Sequence, residues 1–214
     1  MTTIRNIEKK CSVCTKTSEQ PLIGSTSTLY YPDLDLRPSE MYRNSMFAWL
    51  DECPHCGYVA KNIENELKTP EILKSKNYQT CEDNDFKSKL AKRFYKHYLI
   101  SKAEKNHELE FNSLLHCAWS CDDNNDKELS QKIRKMALKI IDKLIKENKD
   151  KNELLLIKAD LLRRTLQFDK VINEFKDIKL EKSIENKIIA FQIELSEKKD
   201  SECHTLKEIE EIKY

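Results

Sequence analysis

Cys53-Pro54-His55-Cys56-Gly57-Tyr58 is the stretch from which the fold can be read outward. Two thiols separated by two residues fit on one tight turn and take two corners of a tetrahedron. A second pair, Cys11-Ser12-Val13-Cys14, offers the other two corners. Gly57 follows the second thiol, where the backbone turns in a conformation that a side chain resists. Four thiolates fill every position of a zinc shell, and a filled shell holds structure rather than catalysing. The pattern therefore predicts one structural zinc on Cys11, Cys14, Cys53 and Cys56, with an iron–sulfur centre as the alternative for four thiolates.

Composition limits what surrounds this centre. Of 214 residues, 35% are charged and 39% hydrophobic, and Gly 2 with Pro 5 favours long helices over a loop-rich or all-β fold. Lys+Arg 38 against Asp+Glu 37 leaves a net charge of +1, so no global field draws the chain to nucleic acid or an anionic membrane. The first residues, Met1-Thr2-Thr3-Ile4-Arg5-Asn6, lack the charged and apolar regions of a signal peptide, and no run approaches a membrane span. The eight cysteines, half of them in CxxC pairs, fit a reducing cytosol and a bound metal better than a disulfide scaffold.

These features predict an α+β, mostly α protein: a small zinc-ribbon-like β domain over residues 1–66, a connector over 67–84, and antiparallel helical hairpins over 85–214. In the first part Met1 to Lys10 reads as a strand or ordered lead, Thr15 to Gln20 as a turn, and Leu22 to Tyr31 as extended. Met46-Phe47-Ala48-Trp49-Leu50 is the best strand candidate. So small a unit has little core, and structural zinc can supply roughly 10 kcal/mol of its folding energy.

The 38 residues between the knuckles, Thr15 to Glu52, exceed a minimal ribbon and imply an insertion. It contains Pro32-Asp33-Leu34-Asp35-Leu36-Arg37-Pro38, followed by Arg43. Two prolines stiffen it. If extended, Asp33 and Asp35 share one side and Leu34 and Leu36 the other. The balanced charges predict a network of Asp33, Asp35, Arg37 and Arg43 that pins the loop beside the zinc site. The alternative is a polar pocket in which these four residues and His55 bind a ligand. Paired carboxylates can serve acid–base or hard-metal chemistry, but two neighbouring arginines favour neutralisation. His55 itself reads as a solvent-facing knuckle residue.

The connector is interrupted by Pro70, and Tyr78 to Asp85 reads as loop and helix cap. Beyond it Phe86, Leu90, Phe94 and Tyr98 recur at helical spacing. Further helices are expected over 109–121, 129–145, 154–166, 169–178 and 184–196, with a last turn or two over 206–212; Asp122-Asp123-Asn124-Asn125-Asp126 and Asn148-Lys149-Asp150 separate them. Ala159, Leu162, Leu166, Phe168, Val171, Ile172 and Phe175 follow the pattern of a tetratricopeptide half-repeat, with Leu166 where a turn glycine is common. Cys117 and Cys121, beside His116, fall on a core stripe and read as buried apolar residues rather than as a second metal site with Cys203-His204. Neither GxxxxGK[ST], GxGxxG nor HExxH occurs, and Gly24 and Gly57 alone cannot build a phosphate-cradling loop.

Taken together, the two CxxC pairs, the segment Pro32 to Pro38, Arg43, Trp49 and Cys53 to Tyr58 resemble a family of uncharacterised bacterial proteins. Its members join a two-CxxC N-terminal domain to a helical, tetratricopeptide-like tail. Leu115-His116-Cys117-Ala118-Trp119-Ser120-Cys121-Asp122-Asp123 is similar to a segment of that tail. The resemblance implies zinc and a cytoplasmic bacterial protein, and it brings no activity. Two readings of function follow. One is a zinc-stabilised adaptor, not an enzyme, whose helical part contacts another protein. The other is a small-molecule or nucleic-acid binding module, or an enzyme, centred on Asp33, Asp35, Arg37 and Arg43. Only Lys9, Lys10 and Lys16 lend local support to nucleic acid. Nothing in the sequence sets the oligomeric state.

Overall fold

Each CxxC pair closes a β-hairpin. In the computed structural model, which describes residues 2–81, 84–148 and 151–211, strand β1 (Thr3–Lys10) pairs antiparallel with strand β2 (Thr17–Ser25), Lys10 opposite Thr17. Residues 11–16 form the turn between them. Strands β3 (Asp51–Glu52) and β4 (Val59–Ala60) pair in the same sense, with residues 53–58 as their turn. The segment expected to be a turn, Thr15 to Gln20, thus enters β2 from Thr17 onward.

Met46 to Leu50 is not a strand. Helix α1 (Glu40–Arg43) leads to a 3-10 turn at Met46–Ala48, and Ala48 N–H donates to Ser45 O at 2.9 Å. The indole of Trp49 donates back to Ser45 Oγ at 3.2 Å. Met46 and Leu50 are buried while Phe47 is exposed, which is a helical rather than an alternating pattern.

The connector is also structured. A 3-10 segment (Pro70–Lys74) leads to helix α2 (Lys76–Thr80), where Ser75 Oγ accepts from Tyr78 N–H. The cap expected over 78–85 falls partly on Glu82 and Asp83, which lie outside the described residues. Helix α3 (Lys89–Ala103), capped by Ser88, packs antiparallel on α4 (His107–Asp122), capped by Asn106. Then come α5 (Lys127–Glu147), α6 (Asn152–Arg164), α7 (Phe168–Phe175), α8 (Ser183–Glu197) and α9 (Leu206–Glu211). Of the expected stop after α5, Lys149 and Asp150 lie outside the described residues, as does Ile212. The architecture is mostly helical, two small hairpins followed by stacked antiparallel helices of tetratricopeptide-like type.

Scarce glycine leaves a signature at the helix ends. Asn106 N–H bonds Ser101 O, Asp126 bonds Cys121 O, Gln167 bonds Leu162 O and Asp200 bonds Leu195 O, each at 2.9 Å. These are Schellman closures, which place the preceding residue in the left-handed region. Here that residue is Lys105 (φ 57), Asn125 (φ 55), Leu166 (φ 64) or Lys199 (φ 56) instead of glycine.

By contacts the chain divides into two compact units, one of residues 1–28 and 40–130 and one of residues 29–39 and 131–214. This differs from the expected split at residues 67–84. The inserted segment leaves the first unit, in which both of its flanks lie, and folds with the C-terminal helices. The reason is packing. Leu34 joins the apolar core of the second unit, formed with Leu156, Ala159, Leu162, Val171, Phe175, Ile188 and Ile209 among others.

Candidate metal centre and buried charge network

The two knuckles repeat one backbone pattern. Cys11 O accepts from Thr15 N–H and Cys53 O from Gly57 N–H, both at 2.9 Å; Cys11 N–H donates to Lys16 O at 3.0 Å and Cys53 N–H to Tyr58 O at 2.9 Å. The residue after the second cysteine is left-handed in each, Thr15 at φ 62 and Gly57 at φ 75. A β-branched residue is rare in that conformation, and Thr15 O–H donates to Cys14 O at 2.7 Å. Cys11 and Cys53 are buried, while Cys14 and Cys56 are partly exposed.

The side chains converge. All four sulfurs lie within 4.8 Å of one another, the one such cluster of potential metal ligands among the described residues. Cys11 Sγ stands 3.7 Å from Cys56 Sγ, and Cys14 Sγ 3.6 Å from Cys53 Sγ. Zn–S bonds of about 2.3 Å set the edge of a tetrahedron at roughly 3.8 Å, whereas a disulfide would require about 2.05 Å. The donor set and its spacing thus fit a single tetrahedral zinc. The four thiolates would leave no open coordination position, so the chemistry supplied is cross-linking. Burial pushes the Cys11 and Cys56 thiols up, while the Lys16 backbone N–H beside Cys14 lowers that thiol.

Polar contacts hold the knuckles in place. Lys9 Nζ meets Asp51 Oδ2 at 2.7 Å, both residues buried, and the same oxygen accepts from Ile63 N–H at 3.1 Å. Gln20 bonds the backbone of Glu52 through both ends of its amide, at 3.2 Å each. Arg93 and Lys96 of α3 clasp the Glu52 carboxylate at 3.1 and 2.9 Å. Tyr78 O–H donates to Gly57 O at 2.7 Å.

The inserted loop does not complete this centre. Asp33, Asp35 and Arg37 lie in the second unit, while Arg43 and His55 lie in the first. Arg43 Nε is 3.9 Å from Asp123 Oδ1. His55 is exposed, with Nε2 3.4 Å from Thr17 O. Within the second unit Arg37 pairs with Asp33, and Asp35 faces Arg134 and Arg164 of the C-terminal helices. Nor is the loop extended: Leu36, at φ 62, donates to Asp33 O, and Asp33 N–H donates to Arg37 O, both at 2.9 Å. This turn buries Asp33, Leu34 and Asp35 together, in place of alternating sides.

Arg37 Nε bonds Asp33 Oδ2 at 2.5 Å, and Cys203 Sγ lies 3.2 Å from the same oxygen. Asp35 Oδ2 meets Arg134 of α5 at 3.4 Å and Arg164 of α6 at 3.8 Å. Sequence reading missed those arginines and their neighbours. Arg163 bonds Gln192 Oε1, Asp160 Oδ1 and the carbonyls of Asp200 and Glu202, all between 2.6 and 2.9 Å. The findable signal was Asp160 with arginines three and four residues on, inside an apolar helix. Burial and the Asp160 charge push the Asp35 carboxyl up despite the guanidiniums. At Asp160 burial acts in the same upward direction, but Arg163, Arg164 and Arg134 overcome it and the carboxyl is lowered.

Cys117 and Cys121 are core residues of the α3–α4 pair, with Cys117 Sγ 3.3 Å from Ala91 O, while Cys203 and His204 belong to the second unit. His204 pairs with Asp200 and Glu208 at 3.1 and 2.7 Å. No helix of the described residues is long and apolar enough to cross a membrane.

The site and fold define a class: a small tetracysteine metal-binding domain joined to a helical-repeat region. No family model, curated protein or solved structure matches the chain. Of the resemblance drawn from sequence, that two-part build is what stands.

Proposed function

We propose that the protein is a zinc-stabilised interaction module of a reducing compartment, the cytoplasm, which binds another protein through its helical region. The observation that carries the reading is the tetracysteine cluster, whose sulfur spacing fits a filled, non-catalytic zinc shell. A structural role for the polar loop residues is supported by their burial and pairing, Asp33 with Arg37 and Asp35 with Arg134, and by the pairing of Arg43 with Asp123. Repeat helices of this type present surfaces to other proteins. At the α6–α7 turn Leu166 is 53% exposed beside partly exposed Phe168 and Ile172, an apolar edge suited to contact.

The test is affinity capture with wild-type protein and Leu166→Asp. Aspartate tolerates the left-handed turn better than leucine, so the variant is expected to fold, which its circular dichroism checks. A specific partner retained by wild type and lost by the variant supports the reading. Identical recovery, or none with either protein, contradicts it.

A further inference from the structure

We infer that the tetracysteine centre is an oxidant-operated switch, in which a peroxide joins the two knuckles by disulfides, Cys14 to Cys53 and Cys11 to Cys56, and so releases the metal. The inference rests on the reading of this cluster as a filled zinc shell. Its ground is an asymmetry that both knuckles share. The first cysteine of each, Cys11 or Cys53, is 0% exposed, while the second, Cys14 or Cys56, is partly exposed. Each partly exposed sulfur has a buried sulfur of the other knuckle beside it: Cys14 Sγ is 3.6 Å from Cys53 Sγ, and Cys56 Sγ is 3.7 Å from Cys11 Sγ. One member of each such pair can meet a dissolved oxidant, and the other is placed to resolve it. Among the other cysteines, Cys81, Cys117 and Cys121 are buried, and Cys203, though exposed, has the Asp33 carboxylate rather than a second thiol at 3.2 Å.

The thiolate is the form of cysteine that binds a metal and also the form that attacks an electrophile. The Cys14 or Cys56 thiolate displaces hydroxide from hydrogen peroxide: the O–O bond breaks, an S–O bond forms and the sulfur becomes a sulfenic acid. The buried thiolate beside it then attacks that sulfur, forming the S–S bond and expelling a second hydroxide. Two protons from solvent turn both hydroxides into water, so two thiolates lose two electrons and one peroxide gains them. The distance to close is short, from 3.6 or 3.7 Å to about 2.05 Å. One disulfide leaves only two thiolates, fewer than a structural zinc site requires, and the ion is released. Contacts that need no metal span the two hairpins: Lys9 pairs with Asp51, and both ends of the Gln20 amide bond the Glu52 backbone. These hold the knuckles in register through the change, so a dithiol that reduces the disulfides restores the cage.

The test takes the wild-type, zinc-loaded chain and adds hydrogen peroxide in a few-fold molar excess. Zinc is followed with a colorimetric chelator that strips none in the absence of peroxide, free thiols by titration, and disulfides by mass spectrometry of digests. The expected result is release of about one zinc per chain in step with loss of the first pair of thiols. The digest then holds Cys14 linked to Cys53, Cys11 linked to Cys56, or both, and dithiothreitol with zinc restores the starting metal content. Zinc held until the thiols pass to sulfinic acid, or any pairing of these four cysteines other than those two, overturns the inference. Such a failure leaves the tetracysteine metal site and the capture experiment with Leu166→Asp untouched. Protein that binds no zinc at the outset overturns the inference and the metal reading together.

Discussion

Asp35 and Arg134, ninety-nine positions apart in sequence, meet inside the second unit with Oδ2 3.4 Å from Nη2 and both side chains 1% exposed. Removing one member of such a pair strands the other without solvent. Asp35→Ala should therefore destabilise the second unit by about 3–5 kcal/mol. Hydrogen exchange reads this directly, with faster exchange in α6 and α8 and unchanged protection in α3 and α4. Loss of protection confined to the zinc hairpins would show that the loop serves the metal centre after all.

Arg37→Ala should act in the same unit, because Asp33 and Asp35 face its guanidinium. Arg43→Ala should cost much less, since its partner Asp123 is 41% exposed at the side chain and exposed pairs contribute about 0–1 kcal/mol. Urea unfolding of the two variants gives the comparison, and equal losses would contradict this ranking.

Left-handed residues give a prediction of opposite sign. At Leu166 and Lys199 glycine would relieve roughly 1 kcal/mol of backbone strain, partly offset by the entropy it adds to the unfolded chain. Leu166→Gly and Lys199→Gly should each match or exceed wild-type stability. Gly57→Ala should lose about 1 kcal/mol for the same reason, although an added Cβ would meet Lys96 Nζ at an ordinary contact distance of 3.9 Å. Thermal unfolding settles the signs.

A pH dependence arises in the first unit. Burial, reinforced by the Lys61 charge, holds His97 down at about 4, where Nδ1 contacts Ser113 Oγ at 2.6 Å. Burial pushes His116 down to about 3 among Trp49, Phe94 and Trp119. Both are neutral when folded but take up a proton near pH 6.5 when unfolded, so the unfolded state binds more protons below that pH. Their contribution is complete above about pH 6.5 and falls by about 1.4 kcal/mol per histidine per pH unit below it. His116→Phe should flatten the stability profile between about pH 6 and 5. An unchanged slope would contradict the burial of a neutral ring.

Much of this was legible because local signals are periodic. The four cysteines, the left-handed glycine at Gly57 and the helices from Lys89 onward follow from spacing alone. Leu166, singled out where glycine is common, does adopt the glycine conformation. What sequence missed was tertiary. Met46 to Leu50 reads as a strand until Ser45 captures the Trp49 indole. The charges of Asp33, Asp35 and Arg37 announced ion pairs, but nothing nearby in sequence named Arg134 or Arg164 as partners. Leu34 decided the matter, since its core lies in helices far along the chain.

The claim on which the account rests most is the metal at Cys11, Cys14, Cys53 and Cys56. Elemental analysis of the purified, dialysed protein, combined with thiol titration, tests it most directly. The account predicts about one zinc per chain, with these four thiols protected until a chelator is added. Less than about half an equivalent of zinc with the four thiols freely reactive, or a coloured iron protein, would contradict it.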